Sequence, residues 1–312
     1  HVVGHSYRIV HSFHMPLFFI LGGYLYKELA FDISTFKVFL KKNFKRLIIP
    51  CIFTLLLFSL WSLIQAIAKD NINIFLSSIF SLLWMSGDEL PTRFGVLCIN
   101  ALWFLPALFW CRNFFYLLHG IVTKFAKSYM PYVVLGTSLL ITLVISITKK
   151  HLPSLPLCFI QGLGALFFYA MGWFIKRVPL PIWMKIIALL CWPLAVLFGK
   201  IEMIGCYYKI FPLDVIGACG ATFLLYDICL YISQIRWTCV QLPVRFLNWA
   251  GINSLLMLCM HDLDRRTGFI WSLKCRIPYL ADMEWTWHSA VIHFCMAIIL
   301  TYIVSKIPII SR

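Results

Sequence analysis

Long apolar runs separated by short polar segments are the dominant pattern of this chain. A run of about 18 or more uncharged residues is long enough for a helix to cross a bilayer, and a helix satisfies its own backbone hydrogen bonds in lipid. The apolar segment 72–85 has only about 14 residues, which favours an interfacial or re-entrant helix. The longer runs predict spans near residues 12–26, 47–68, 99–119, 131–148, 156–175, 183–199, 212–234, 245–262 and 286–305, with residues 1–7 as the remnant of an earlier helix.

These runs predict an all-α fold, a polytopic transmembrane bundle of about ten helices. The chain begins at His1 rather than at a methionine, so we expect the first helix to be truncated at its N-terminus. No internal repeat, Gly/Ser-rich linker or low-complexity tract interrupts the pattern. The sequence therefore predicts a single membrane domain over residues 1–312.

The composition excludes a soluble enzyme. Hydrophobic residues make up 62% of the 312 residues and charged residues only 12%, whereas an average soluble domain is roughly one quarter charged. Most of the 12 cysteines lie within the apolar runs, and none forms a Cys-x-x-Cys pair. We therefore interpret them as small buried apolar side chains rather than as disulfides.

The basic residues indicate the topology. The formal net charge is +15, from 27 Lys and Arg against 12 Asp and Glu. Because the basic residues lie in short segments between apolar runs, we expect membrane lipid rather than nucleic acid as their partner. The densest basic cluster is a predicted loop over residues 37–46, which we expect in the cytoplasm. This orientation places both termini in the cytoplasm, and Asp262 and Asp264 on the outer side.

Three histidines are predicted at helix ends that face the outer side of the membrane, namely His5, His14 and His261. Each is explained either by hydrogen bonding at the membrane interface or by a shared polar pocket, since ionisable groups in membranes usually face a cavity. Asp227 is the one acidic residue in the middle of a predicted span. We expect its carboxylate to be buried in the bundle, either bonded to neighbours or on a proton path.

Arg46 ends the basic cluster directly before an apolar run. With Lys42 and Lys45 at i−4 and i−1, it would present one basic face if the segment is helical, and such a face suits phosphate groups. The alternative is a charge that stops translocation and reaches the lipid headgroups. No metal-binding motif is present, so no metal is expected.

Several strings of the sequence resemble those of one family. They are VVGHS (2–6), FHMPLFFILGGYLYK (13–27), KKNFKRLIIP (41–50), LWFLPALF (102–109), FFYAMGWFIK (167–176) and GINSLLMLCMH (251–261). They occur in the order that the family shows. The chain thus resembles the acyltransferase 3 family of bacterial integral membrane acyltransferases, and within it the fucose 4-O-acetylase-like branch.

The resemblance implies transfer of an acyl group, usually acetyl, from cytoplasmic acyl-CoA to a sugar hydroxyl of a cell-surface or secreted glycan. It also implies a bacterial cytoplasmic (inner) membrane location. The family's first-helix histidine falls on His5, the expected base. The family's Arg-x-x-Arg element falls on Asn43 and Arg46, so the first arginine is missing and Lys42 or Lys45 would stand in as a CoA-binding residue.

Further residues are candidates for the rest of such a site. His14, counted with His5 as catalytic, and the acceptor-site residues Asn253, Ser254 and His261 would stabilise the oxyanion or position the acceptor, and Trp103 would stack on a sugar ring. The expected partners are acyl-CoA, with acetyl-CoA as the donor, a glycan or lipid-linked sugar acceptor, and membrane lipid. The alternative function is export or flipping of a glycan or lipid-linked sugar.

Overall fold

The computed structural model of the protein describes residues 8–88, 97–126, 129–235, 238–268 and 287–306. Within these ranges the fold is built from α-helices joined by short turns. Two short strands, β1 Ile201–Glu202 and β2 Tyr207–Tyr208, form an antiparallel pair. The helices are α1 His14–Tyr24, α2 Ile33–Asn43, α3 Ile49–Ala68, α4 Ile72–Trp84, α5 Phe104–Phe125, α6 Met130–Thr148, α7 Phe159–Gly164, α8 Leu166–Arg177, α9 Ile182–Phe198, α10 Phe211–Gln234, α11 Thr238–Ile252, α12 Ser254–Thr267 and α13 Trp287–Ser305.

The apolar helices agree with a protein that crosses the membrane several times. In the described part of the chain, four stretches are long and apolar enough to span: Ile33–Ala68, Asn100–Phe125, Met130–His151 and Phe211–Gln234. A fifth is formed if the pair Pro156–Gly164 and Leu166–Arg177, bent by 52°, is counted as one span. Shorter apolar helices occupy Ile72–Trp84, Ile182–Phe198 and Val291–Ser305. The predicted all-α polytopic helix bundle is confirmed.

The basic segment 37–46, predicted as a loop, is helical instead. It continues from α2 through a π-helical turn at Phe44–Ile48 into α3, so that one helical run covers Ile33–Ala68. Pro50 lacks the N–H that would bond to the carbonyl of Arg46, and the helix widens into the π form directly before it. The charged residues thus lie on a helical extension of the apolar helix rather than in a loop.

The predicted single span over 245–262 is wrong in one respect, because the helix is interrupted. α11 ends at Ile252 and α12 begins at Ser254, with Asn253 between them. The Asn253 amide donates to the carbonyl of Trp249 at 2.9 Å. Asparagine competes in this way for backbone groups, and the nearby Gly251 further lowers the preference for a continuous helix.

Asp227 is not buried in the bundle as predicted. Its side chain is about half exposed, and Oδ2 lies 3.1 Å from the ammonium group of Lys185. The two residues lie on α10 and α9, which pack against each other. The first of the two alternatives, bonding to a neighbour, is thus observed as an ion pair with the adjacent helix.

The helices assemble into two compact units, each formed by two separate stretches of chain. The first unit comprises His1–Lys41 and Ala107–Gln241, and the second comprises Lys42–Pro106 and Leu242–Arg312. The prediction of one domain over residues 1–312 stays a prediction.

In the first unit α1 packs on α8, α6 on α8, and α9 on α10. The contact between α1 and α8 is close because glycines face the partner backbone. A Cβ on Gly23 would lie 1.8 Å from the carbonyl oxygen of Tyr169, and a Cβ on Gly172 would lie 1.8 Å from that of Ile20. Small residues allow such close approach between membrane helices. This contact brings the C-terminal ends of α1 and α8 together.

In the second unit α3 packs against α4 and α12, and α12 also packs against α13. A 3₁₀ turn over Asn100–Trp103 lies against α12 as well. Helix α12 therefore contacts α3, α13 and the 3₁₀ turn, and it buries two carboxylates, those of Asp262 and Asp264.

Candidate active site

Of the two predicted catalytic histidines, the structure describes His14 but not His5. His5 lies outside the described residues. His14 is the first residue of α1, and its Nδ1 lies 3.0 Å from the carbonyl oxygen of Val10. A carbonyl accepts only, so Nδ1 carries the proton and the neutral ring keeps its lone pair on Nε2. The ring of His11 lies edge-on to that of His14, with 4.5 Å between the ring centroids. His14 thus has the tautomer that a proton acceptor at Nε2 requires.

The predicted phosphate-binding residues lie in the helical run that leads into α3. Lys42, Lys45 and Arg46 are all exposed, while Asn43 between them is buried, with only 1% of its surface exposed. The condition that this segment be helical is fulfilled, since Lys42 lies in α2 and the other two lie in the π-helical turn. The cationic groups therefore lie on the exposed face of the helix, and the asparagine lies on its buried face.

The predicted acceptor-binding residues all belong to the second unit. Trp103 ends the 3₁₀ turn and is 7% exposed, while Asn253 precedes α12 and Ser254 begins it. His261 lies further along α12 and is half-buried. These residues therefore lie on or next to two elements, the 3₁₀ turn and α12, which pack against each other. The structure thus brings the elements that carry Trp103 and His261 together.

A buried ion pair lies on α12 directly after His261. It joins Asp262, which the orientation predicts on the outer side, to Arg266, which sequence reasoning missed. Asp262 is fully buried, and its Oδ2 accepts from Nε of Arg266 at 2.5 Å. The Arg266 side chain is 4% exposed and also donates to the carbonyl of Cys98 at 3.1 Å. Its guanidinium lies 5.1 Å from the ring centroid of Phe58. The i,i+4 spacing of Asp262 and Arg266 is a signal that the sequence contained.

The neighbouring carboxylate forms a second buried contact. Asp264 is 3% exposed, and its Oδ2 lies 2.6 Å from Nδ1 of His293 on α13. Oδ1 of Asp264 and Oδ1 of Asp262 are buried and have no hydrogen-bond partner among the described residues. Sequence reasoning missed this contact because it depends on how α12 and α13 pack.

The first unit contains a pocket that sequence reasoning also missed. The cavity measures about 310 Å³ and is lined by Tyr26, Lys27, Glu28, Trp173, Lys176 and Arg177. Oε1 of Glu28 accepts from the indole N–H of Trp173 at 3.0 Å and is ion-paired with Arg177. Nε2 of His119 lies 3.7 Å from the same oxygen. The pocket therefore has one acidic and three basic side chains.

The segment between this pocket and α2 is held by hydrogen bonds. The hydroxyl of Tyr116 donates to the carbonyl of Ala30 at 2.7 Å. Asp32 precedes α2, and hydrogen bonds from the Ser34 hydroxyl and from the backbone of Thr35 lower the pKa of its carboxyl to about 2. Asp32 is therefore ionised near neutral pH and caps the first turn of the helix. These hydrogen bonds hold the segment that follows Lys27 and Glu28 in place.

No metal site is visible in the part of the chain that the structure describes, where no three His, Cys, Asp or Glu side chains form a group that could hold a metal ion. Every cysteine whose side chain the structure describes is a free thiol.

Comparison with known proteins gives one match. The model of the acyltransferase domain family, Acyl_transf_3, matches residues 1–309. No curated protein and no solved structure matches the chain. The match covers nearly the whole sequence, including the helices that carry the buried carboxylates of Asp262 and Asp264 and the pocket. The chain therefore belongs to the acyltransferase 3 family and is a multi-pass membrane acyltransferase.

Proposed function

We propose that this protein is an acyl-CoA-dependent O-acyltransferase of the bacterial cytoplasmic membrane. It transfers an acyl group, most simply acetyl from acetyl-CoA, to a sugar hydroxyl of a cell-surface or secreted glycan, or of a lipid-linked sugar precursor. The proposal that acyl-CoA is the donor rests on one observation, the exposed basic face of Lys42, Lys45 and Arg46. This face lies where a long helical run enters its apolar part. Both termini would then lie in the cytoplasm.

The donor is proposed because the basic face suits phosphate groups. Arg46 offers a planar fork of donors that can bind one phosphate through two hydrogen bonds, whereas Lys42 and Lys45 act as point charges. Asn43 replaces the first arginine of the family element and is buried, so it contributes no cation to this face. The two lysines therefore supply the charge that the missing arginine would have supplied.

The proposed chemistry assigns proton transfer to His5. Its neutral imidazole accepts the proton of the sugar hydroxyl while the hydroxyl oxygen attacks the thioester carbonyl carbon. The tetrahedral intermediate then collapses, the carbon–sulfur bond breaks, and the CoA thiolate takes the proton from the imidazolium. The products are the O-acylated sugar and free CoA thiol, and no metal or redox partner enters the reaction.

His14 is proposed as the second catalytic histidine. Its Nδ1 proton is engaged with the carbonyl of Val10, so only Nε2 is left for contact with a reactant. In the neutral ring this nitrogen accepts a hydrogen bond, and in the protonated ring it donates one. His14 would thus serve as a relay for the proton rather than as a donor to the oxyanion.

The acceptor is proposed to contact residues of the second unit. Ser254 and His261 are half-buried on α12, and each has a polar group that can bond to a sugar hydroxyl or to the oxyanion. Asn253 uses one amide N–H on Trp249, which leaves its second N–H as a donor and its side-chain oxygen as an acceptor. Trp103 is mostly covered, so contact with a sugar would be restricted to the exposed 7% of the residue.

The test is thioester consumption by the purified protein, expressed from the intact gene and kept in detergent. With acetyl-CoA and a glycan extract from the producing cells, we expect free CoA thiol to be released and glycan mass to rise by one acetyl group. The control is the His5→Ala variant, which should release almost no thiol. Glycan movement across vesicles without thioester consumption would instead identify an exporter and would overturn the proposal.

A further inference from the structure

The pocket of the first unit is formed where two helices end side by side. Tyr26, Lys27 and Glu28 follow the end of α1, and Trp173, Lys176 and Arg177 form the last turns of α8. The close glycine contacts between α1 and α8 fix the two ends against each other. Trp173 is 1% exposed and forms the floor, while the charged residues are exposed. The cavity of about 310 Å³ is thus a fixed recess with a charged rim.

The recess already contains one anionic group of its own. The carboxylate of Glu28 pairs with Arg177 and accepts the indole N–H of Trp173 at 3.0 Å. The guanidinium of Arg177 also lies 5.0 Å from the ring centroid of Trp173. An oxygen anion is therefore accommodated between a guanidinium and an indole N–H, which are the donors that a phosphate oxygen would use.

The positive charges of Lys27 and Lys176 are not neutralised by any carboxylate of the described residues. Within the described ranges, no carboxylate forms a salt bridge with Lys27 or Lys176. Lys176 lies 5.8 Å from the ring centroid of Tyr24, a contact that leaves its charge unneutralised. The C-terminal ends of α1 and α8 favour cations through their dipoles, but that effect amounts to about half a charge per helix. The recess therefore attracts a further anion.

We propose that this recess binds a phosphate ester, held by Lys27, Lys176 and Arg177, with Glu28 as an internal competitor for Arg177. The recess shares no residue with the basic face of Lys42, Lys45 and Arg46, and its binding of phosphate does not depend on the proposed acyl transfer. Two sources supply this chemistry, the phosphorylated nucleotide end of CoA and the headgroup of an anionic phospholipid. The cavity is at the small end of ligand pockets, which suits a phosphate with part of its carrier.

The experiment measures binding rather than turnover, with the full chain in phosphatidylcholine nanodiscs. A Lys42→Gln/Lys45→Gln/Arg46→Ala background removes the exposed basic face as a source of signal. The first probe is adenosine 3′,5′-bisphosphate, titrated by calorimetry. The second is phosphatidylglycerol, whose retention is followed by native mass spectrometry. The variants Lys27→Gln and Lys176→Gln are compared with Lys124→Gln, which removes a lysine in a similar ring contact with Phe31 outside the recess.

We expect each recess variant to bind one of the two probes about tenfold more weakly, because a charge-assisted contact to phosphate is lost. Lys124→Gln should change binding by less than about twofold. Loss of nucleotide binding identifies the CoA end as the ligand, and loss of phosphatidylglycerol identifies the lipid. If both probes bind the recess variants as they bind the background protein, or if neither binds at all, the proposal is overturned, whatever the acyl-transfer activity.

A further variant separates ligand binding from a purely structural role of the recess. Glu28→Gln keeps an oxygen that accepts the Trp173 N–H but removes the competing negative charge. We expect the affected probe to bind about threefold or more tightly to this variant, with a smaller gain at high salt. A purely structural contact predicts equal or weaker binding, and that result would contradict the competitor role of Glu28.

Discussion

The carboxylate of Asp264 accepts a hydrogen bond from the imidazole of His293, with 2.6 Å between Oδ2 and Nδ1. The two residues are 29 positions apart and join α12 to α13. Asp264 is buried, and its other oxygen has no hydrogen-bond partner among the described residues. The contact with His293 is therefore the main compensation for this buried carboxylate.

Removing the imidazole should destabilise the second unit. We expect His293→Ala to lower the free energy of unfolding by about 3 kcal/mol, because it leaves a buried carboxylate without a donor. The matched control is Cys295→Ala, an exposed position on the same helix, which should change stability by less than about 0.5 kcal/mol. Thermal unfolding in detergent measures both. An Asp264→Asn/His293→Ala double variant that is no more stable than His293→Ala would contradict this reasoning.

The ion pair of Asp262 and Arg266 leads to a second prediction, with its control in the next residue. Arg266→Ala leaves Asp262 buried and unpaired, so we expect a loss of about 3–5 kcal/mol. Arg265 is exposed, and Arg265→Ala should cost less than about 0.5 kcal/mol. Denaturant or thermal titration of the two variants checks the difference. Equal stability of the two arginine variants would mean that the buried pair contributes nothing to the fold.

The sequence predicted the positions of several apolar helices well because apolar length is a local property. The predicted span 183–199 is shifted by one residue from Ile182–Phe198, which belongs to the shorter apolar helices, and the predicted span 212–234 begins one residue after the start of Phe211–Gln234. The prediction is wrong for residues 37–46, because their charges were interpreted as the sign of a loop. These residues continue a helix instead. The three-dimensional packing of α9 on α10 placed Asp227 at the surface beside Lys185.

Long-range contacts of the candidate site were not predictable from one sequence. Glu28 and Trp173 are 145 residues apart, and only the packing of α1 on α8 brings them together. The orientation predicts Asp262 and Asp264 on the outer side of the membrane, but the sequence contains no sign that α12 buries both carboxylates. The i,i+4 spacing of Asp262 and Arg266 was the one local signal, and it indicates a helix rather than a loop.

Arg46 gives a prediction for donor binding. Arg46→Ala should weaken binding of acetyl-CoA by about tenfold or more, because a bidentate charge-assisted contact to phosphate is lost. Lys37→Ala removes one positive charge from an exposed position earlier in the same helical run and should have little effect. Calorimetry in detergent compares the two variants. Equal affinity of wild type and Arg46→Ala would show that Arg46 interacts with lipid headgroups instead.

The orientation of the helical run Ile33–Ala68 can be tested without enzymatic activity. Lys42 and Lys69 are both exposed, and a helix extends about 40 Å from one to the other, close to the thickness of a bilayer with its headgroups. In a cysteine-depleted background, Lys42→Cys should react with an impermeant maleimide only from the cytoplasm, and Lys69→Cys only from outside. Reaction of both from one side would exclude this run as a span in the proposed orientation.

His5 gives the prediction that bears most directly on the mechanism. Acyl transfer to a neutral hydroxyl needs a proton acceptor at the attacking oxygen, a contribution of typically 10²- to 10⁴-fold in rate. His5→Ala should lose turnover by such a factor while acetyl-CoA still binds, because the proposed phosphate contacts are made by Arg46 and its neighbours. His5→Gln donates a hydrogen bond but accepts no proton near neutral pH, so it should be no more active. Thiol release and calorimetry on the same preparations separate the two effects. Near-normal glycan acylation by either variant would mean that His5 is an interfacial anchor, and the base would then be sought at His14 or His261.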